Sequence, residues 1–293
     1  MTARWARPRL RAAAQSILRE ALLAADPHRL VSRHLKVRSG ALEAAGVRHP
    51  LGRGRVAVVA VGKAAVPMAR AAEEALGERL AVGIAVSTTS EGDLDRVRLL
   101  TASHPVPDAR GLAAATEVEA LARGLRRDDL LLVLLSGGAS ALLPSPAEGL
   151  TLEDKARTTA LLLRAGATIH ELNAVRKHLS RLKGGGLVRE AFPARVVTLV
   201  LSDVVGDDLS TIASGPTVPD GTTFAFALEV LRRRGVLESV PDAVRARLEA
   251  GAAGGLPETP KPGEAAFRRA ATQIVGSNRL SIAAAAREAR RLG

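Results

Sequence analysis

Short unbroken apolar runs alternate along this chain with longer segments whose apolar residues recur every three or four positions. Runs at 55–62 (RVAVVAVG), 81–87 (AVGIAVS), 97–102 (VRLLTA), 130–135 (LLLVLL), 195–201 (RVVTLVL) and a shorter one at 273–276 predict strands. Most lack the in–out alternation of a half-exposed strand, so they read as strands buried on both faces, the pattern of a parallel sheet. Segments 8–25, 64–77, 110–124, 151–165, 169–182, 223–234, 241–250 and 281–292 predict helices, with Gly77 and Gly235 as stops. Strands alternating with helices of this length build βαβ units. The predicted fold is α/β: a mostly parallel sheet, helices on both faces, in a Rossmann-like N-terminal domain over 1–250. The Gly/Pro-rich stretch GAAGGLPETPKPGE at 251–264 reads as a linker. One strand and one helix follow it, so 265–293 is expected to open a second α/β domain that stays incomplete. Its apolar residues Ile274, Val275, Leu280 and Ile282 would then be partly uncovered. Such a patch favours association, so a homodimer through this segment, or mobility of it, is expected.

The carboxyl ends of three apolar runs carry the candidate chemistry. After 195–201 comes SDVVGDDLSTIASGPTVPD, with Asp203, Asp207 and Asp208 close to the strand end and a Ser214-Gly215-Pro216-Thr217 turn beyond. Ligands of open α/β sheets bind at that end of the strands. Carboxylates there read as metal or catalytic groups, and the shaped backbone as an anion contact. The competing reading is a solvated turn, with Asp207 and Asp208 as a helix N-cap and first-turn acid. After 130–135 comes Ser136-Gly137-Gly138-Ala139-Ser140, whose small residues let backbone N–H groups approach a phosphate. This is neither a Walker A loop nor G-x-G-x-x-G. After 55–62 comes Lys63, one of six lysines among 42 basic side chains. Lys177 and Lys183 flank the Gly184-Gly185-Gly186 element. A lysine ammonium is a compact charge suited to phosphate; the plainer alternative for Arg176 and Lys177 is the solvated face of a helix. His104, in Ser103-His104-Pro105, reads as a turn residue.

Composition narrows the classes. Aromatic residues make up 2% and tyrosine is absent, so the core must be Ala, Leu and Val, and base-stacking platforms for single-stranded nucleic acid are not expected. The net charge of +12 comes from arginines scattered over helical segments, not from one tract. It suits anionic small ligands as well as nucleic acid. With no cysteine, disulfides, thiolate catalysis and Cys-ligated metals are excluded, and the six histidines show no H-x-x-x-H spacing. No apolar run reaches membrane-span length, and the basic N-terminus lacks a clean signal core. A cytoplasmic protein with no membrane and no nucleic-acid partner is expected.

Six motifs then stand in order: VGKAAVPMA at 61–69, SHPVPD at 103–108, LLSGGASALLPSP at 134–146, LLLRAGATIHELNAVRKHLSRLKGGGL at 161–187, LSDVVGDDLSTIASGPTVPD at 201–220, and VGSN at 275–278. In these the chain resembles, over most of its length, the glycerate 2-kinase family that carries a MOFRL domain, also labelled hydroxypyruvate reductase. The resemblance implies transfer of the ATP γ-phosphoryl group to D-glycerate, giving 2-phosphoglycerate, with ATP and Mg²⁺. It implies Lys63 and Asp203 in the chemistry, and Ser136, Gly137, Gly138, Ala139 and Ser140 around a phosphate. Asn173, Arg176, Lys183, Ser214 and Gly215 would lie around the substrate, with Asp203 and Asp207 at a metal. Arg176 could hold the glycerate carboxylate bidentately. The family's C-terminal MOFRL domain is expected to be mostly absent, which would leave one wall of a two-domain cleft and a weak catalyst. Two other classes remain open at this point: an oxidoreductase acting on hydroxypyruvate, although no strand is followed by G-x-G-x-x-G, and a non-catalytic binding or assembly subunit.

Overall fold

The structure, a computed structural model, describes residues 7–293, with side chains from Arg9 onward. Residues 1–6 lie outside the described residues, and the expected helix 8–25 is α1, which ends at Leu23. Helices α1 (Arg7–Leu23) and α2 (Pro27–His34) come first, then strands β1 (Lys36–Arg38), β2 (Ala41–Ala44) and β3 (Val47–Pro50). The βα core follows: β4 (Val56–Val61), α3 (Ala65–Leu76), β5 (Leu80–Ser87), β6 (Val97–Thr101), α4 (Ala109–Arg123) and β7 (Leu130–Leu135). After β7 the chain forms α5 (Ala139–Leu142), α6 (Leu152–Arg164), α7 (Ile169–His178) and α8 (Gly186–Ala191). It returns to the sheet as β8 (Arg195–Leu201), makes α9 (Phe224–Arg233) and α10 (Asp242–Ala252), and closes with β9 (Ala270–Gly276) and α11 (Asn278–Leu292).

The main sheet has six strands in the order β6-β5-β4-β7-β8-β9, and every neighbouring pair is parallel. The chain moves outward from β4 to β6, then restarts at β7 and moves out the other way. Strand order therefore reverses between β4 and β7, and crossovers leaving in opposite directions open a crevice at their carboxyl ends. The central strands β4 and β7 are buried along their whole length and β8 over its middle, as the unbroken apolar runs predict, whereas the edge strands β6 and β9 are mostly half-buried. Ala57, Val59 and Val61 face a cluster with α4 and α8, while Val56, Val58 and Ala60 face α2, α3 and the small sheet. A third cluster, with Leu162, Val175, Phe224, Leu231 and Leu248, binds α6, α7, α9 and α10 to one another.

Three expectations change. The segment 265–293 does not open a separate body: β9 pairs with β8 from Val196↔Ala270 to Leu201↔Gly276 as the sixth strand of the same sheet. Helix α11 packs along α1, with Ser16 Oγ donating to Glu288 Oε1 at 2.5 Å. Val275 and Ala284 are buried, Ile274 is half-buried and Leu280 and Ile282 stay exposed, so the predicted uncovered face is only partly open. The stretch 251–264 is not a free linker either. Its carboxyl half is tied to the body, with Thr259 Oγ1 donating to Asp220 Oδ2 at 2.9 Å and the Pro260 carbonyl accepting from Asp220 N at 2.8 Å. Gly/Pro content marks irregular backbone, but anchoring is decided by partners distant in sequence. The antiparallel β1–β3 sheet went unpredicted: its two tight turns use Ser39-Gly40 and Ala45-Gly46, all at positive φ, in place of the usual Asn-Gly or Asp-Gly. Among the described residues no helix is long and apolar enough to cross a membrane.

Candidate functional site

The crevice at the β4/β7 reversal is built by two loops locked face to face. Lys63 N donates to the Gly137 carbonyl at 2.8 Å, and Ala64 N donates to Ser136 Oγ at 3.0 Å. The loops approach so closely that a β-carbon on Gly62, whose φ is +128°, would lie 2.2 Å from Ser136 Oγ. Ser136 is buried, and its hydroxyl also donates to Val61 O at 3.5 Å. Its side chain thus joins two loops and is not aimed at a ligand. The backbone is freer: the N–H groups of Gly137 and Gly138 meet no acceptor among the described residues. Gly138 has φ +90° and begins the single turn of α5, whose buried Ala139 packs into the core.

Three side chains converge on this loop. A β-carbon on Gly137 would lie 2.1 Å from Asp203 Oδ2, so that carboxylate rests against the loop. A β-carbon on Gly138 would lie 3.0 Å from His104 Cδ2 and 3.4 Å from Lys63 Cγ. Lys63 and Asp203 are both exposed. Strand ends β4, β7 and β8 thus bring Lys63, Gly137-Gly138 and Asp203 into one place. His104, read from sequence as a turn residue, joins them. Its signal was its place after the β6 run, the fourth strand end of the sheet.

Helix α7 supplies the second group. A capping box fixes its start: Glu171 N donates to Thr168 Oγ1 at 3.3 Å, and Thr168 N to Glu171 Oε2 at 2.8 Å. Asn173, Arg176 and Lys177 then fall at spacings of three and four, on adjoining parts of one face. The predicted helix 169–182 stops at His178, because Ser180 leaves it to bridge Pro146 and Gly184–Gly186 must turn tightly. This early end carries Lys183 back to the crevice. Lys183 Nζ donates to the Ser140 carbonyl at 2.8 Å and to Ser140 Oγ at 3.0 Å. Ser140 Oγ pairs with Ser214 Oγ at 2.9 Å, and Ser214 Oγ donates to Asn173 Oδ1 at 3.0 Å. The amide oxygen at the end of this row only accepts, so the row runs from Lys183 through Ser140 and Ser214 to Asn173.

Ser214 is held in place by a costly backbone. Ala213, Ser214 and Gly215 have φ of +54°, +61° and +63°, and non-glycine residues reach that region at a cost of about 1–3 kcal/mol each. Gly184 N and Gly185 N donate to the Ser214 and Gly215 carbonyls at 3.0 and 2.7 Å, which offsets part of that strain. The Gly-Gly-Gly element therefore supports the Ser214 loop.

Not every expected residue takes the expected place. Lys177 is not on a solvated face: it is buried and paired with fully buried Asp220 at 3.2 Å. Asp208 has the local-cap role, accepting from Ser210 N at 2.9 Å and Thr211 Oγ1 at 2.6 Å. Asp207 is half-buried with φ +56°, and its nearest cation is Arg279 at 3.9 Å. Asp203 and Asp207 share one loop, yet no group of three or more His, Asp or Glu side chains gathers anywhere among the described residues in a way that could hold a metal ion.

The electrostatics of the second group are dominated by burial. Desolvation, and secondarily the nearby Arg176 guanidinium, lowers the Lys183 pKa to about 7. The unfolded lysine binds its proton up to about pH 10.4. Between these values the unfolded chain holds more protons than the folded one, so this group adds stability as pH rises. The penalty is present in full below pH 7 and is relieved toward pH 10. Lys183→Met is therefore expected to raise the melting temperature most near pH 6, with the gain shrinking by pH 10. Calorimetry in phosphate-free buffer across that range checks it; a gain independent of pH would assign the effect to packing alone.

Comparison with known proteins bears on this geometry. A family described as "Domain of unknown function (DUF4147)" matches residues 13–249. The glycerate 2-kinase of Pyrococcus horikoshii is 42% identical over 275 residues, covering 94% of this chain and 61% of that protein. A putative hydroxypyruvate reductase of Agrobacterium vitis is 46% identical over 235 residues, 80% of this chain and 51% of that one. The crystal structure of a glycerate kinase from Thermotoga maritima superposes with a TM-score of 0.82 at 36% identity, covering 97% of this chain and 63% of that one. The chain thus spans between half and two thirds of the length of these relatives. The match over 13–249 is most of the sequence, and by it the chain belongs to the DUF4147 family.

Proposed function

We propose that this chain belongs to an enzyme that phosphorylates D-glycerate to 2-phosphoglycerate with ATP. The observation that carries the reading is the convergence of Lys63, Asp203 and the unpaired Gly137 and Gly138 N–H groups at the β4/β7 reversal. Phosphoryl transfer asks a protein mainly for positioning and charge stabilisation. Gly137 and Gly138 would receive phosphate oxygens through backbone N–H groups, with Ala139 packing the loop from behind. Lys63 supplies the exposed cation beside them. Arg176 clamps the substrate carboxylate, and Lys183, Ser140, Ser214, Asn173 and the Gly215 turn orient the acceptor hydroxyl. Asp203 would take the hydroxyl proton or hold a metal with Asp207. Two carboxylates and no all-protein cage suit Mg²⁺, which keeps several waters and shares its remaining sites with phosphates. Bound there, it would neutralise charge developing on the transferred group.

The name of the Agrobacterium relative favours a second reading, reduction of hydroxypyruvate. Against it, β4 is followed by Gly62-Lys63-Ala64-Ala65-Val66-Pro67, with no G-x-G-x-x-G. The two readings separate in one experiment on the chain: calorimetric titration with MgATP and with NADH, followed by incubation with D-glycerate and MgATP and identification of products by phosphorus NMR. MgATP binding and 2-phosphoglycerate are expected. NADH binding with no response to MgATP would overturn the kinase reading.

A further inference from the structure

Lys183, which holds the Ser140 loop, also lines a half-enclosed cavity of about 160 Å³. It sits between the C-terminal end of α7, the following loop, α10 and the anchored strap 257–260. Lys183 and Arg247 line it, together with Arg181 and Arg189. The last two are paired, Arg181 with Glu119 at 3.2 Å and Arg189 with Glu264 at 3.0 Å. Lys183 and Arg247 have no ion-pair partner among the described residues. Arg247 Nε donates to the His178 carbonyl at 3.0 Å, and its guanidinium carbon lies 5.8 Å from the Phe224 ring centroid. Two more cations without acidic partners lie close by: Arg176 on α7 and buried Lys155 on α6, whose Nζ donates to the carbonyls of Pro144 and Ser145. The acids on the wall are Glu190 and Glu258. Glu190 is bound to Arg123; Glu258 accepts from Phe224 N and faces His178 and Lys261.

Four cations, two of them buried lysines, thus share one region, and the carboxylate whose charge reaches Arg247, Glu148, is exposed and not on the cavity wall. Buried charges are ordinarily paired, because leaving water without a counter-charge is costly. The lysines carry the mark of that cost: burial, reinforced by like charge from Lys183, Arg176, Arg181 and Arg247, pushes the Lys155 pKa well down, and burial lowers that of Lys183. An anion in the cavity would supply the counter-charge. The volume equals the share of roughly five waters, enough for a phosphate group with a few further atoms.

We infer that this cavity is a second anion site, separate from the loop of Gly137 and Gly138, which takes inorganic phosphate or a small phosphate monoester between Lys183 and Arg247. Only Lys183 belongs to both places. Its Nζ holds the Ser140 loop, and the same residue lines the cavity. Occupancy there draws on the same ammonium that orients Ser140, so the two sites are coupled, and coupling of binding is reciprocal.

Calorimetric titration of the chain with inorganic phosphate at pH 8, in two buffers of different ionisation enthalpy, tests this without any assay of turnover. Expected are saturable binding and uptake of up to about one proton, as the anion favours the charged form of Lys183. Arg247→Met should weaken phosphate about tenfold or more, Arg247→Lys should recover part of the loss, and Lys63→Ala should leave it unchanged. Loss with Lys63→Ala and none with Arg247→Met would place the phosphate at the loop crevice and overturn the inference. So would absence of saturable binding to the unmodified chain. If Arg247→Met does not fold, nitrogen NMR of the lysine side chains replaces it: the Lys183 ammonium signal must move with phosphate, and a fixed signal refutes the site. Because the readouts are phosphate and protons, the inference can fail while the kinase reading stands, and the reverse.

Discussion

Lys63→Ala is expected to reduce ATP-dependent phosphorylation of D-glycerate by about a hundredfold or more, the usual effect of removing one preorganised charge contact from a transition state. Stability should hardly change. The side chain is exposed, and the structural part of the residue is its backbone N–H, donating to Gly137 O at 2.8 Å, which alanine retains. Two readouts on one preparation therefore separate chemistry from folding: initial rates with saturating MgATP, and the melting temperature. Lys63→Arg should restore only part of the activity, since a planar guanidinium fork replaces a compact point charge. Unchanged turnover in Lys63→Ala would remove this residue from the mechanism and leave the crevice without its one exposed cation at the β4 end.

Asp220→Ala should have the largest effect on folding, a loss of about 3–5 kcal/mol, the cost of leaving one partner of a buried ion pair uncompensated. Asp220 is 0% exposed. Its carboxylate accepts from Lys177 Nζ at 3.2 Å, Thr222 N at 3.0 Å, Thr222 Oγ1 at 2.8 Å and Thr259 Oγ1 at 2.9 Å. It thereby joins α7, the start of α9 and the strap before β9. Burial alone would raise its pKa, but the Thr222 N–H bond, the Lys177 charge and the threonine hydroxyls outweigh burial and lower it. The carboxylate therefore contributes stability above the ordinary aspartate range near pH 4, and that stability is lost as pH falls below it. In a chain of this size the alanine variant should melt on the order of 10 °C lower. The double variant Lys177→Met with Asp220→Leu should recover much of the loss, because the cost lies in the unpaired charge more than in the missing bond. Chemical denaturation of the two single variants and the double variant measures the coupling; strictly additive losses would show that the pair is not a unit.

Much of this protein follows from one-dimensional pattern. Apolar runs name the six sheet strands within a few residues, most sharply for central β4 and β7, where burial on both faces leaves no polar position to confuse the period. Glycine, lysine and aspartate directly after those runs mark the loops that meet at the crevice, because a strand end has a fixed place in an α/β sheet. What pattern could not decide is which partner each segment meets. Whether 270–276 joins the existing sheet or begins another depends on the free edge of β8, far away in sequence. Whether Lys177 is solvated depends on Asp220, and Ser136 is a brace between loops only because Gly62 lets β4 and β7 close to contact. His104 sits beside Gly138 for the same reason: local sequence shows a turn, and only the crossing of distant strand ends shows what the turn faces. Hydrophobic periodicity is a local property of the chain, and so the strands and helices are legible in it. Charge compensation and close backbone approach are properties of pairs, and those the tertiary structure alone decides.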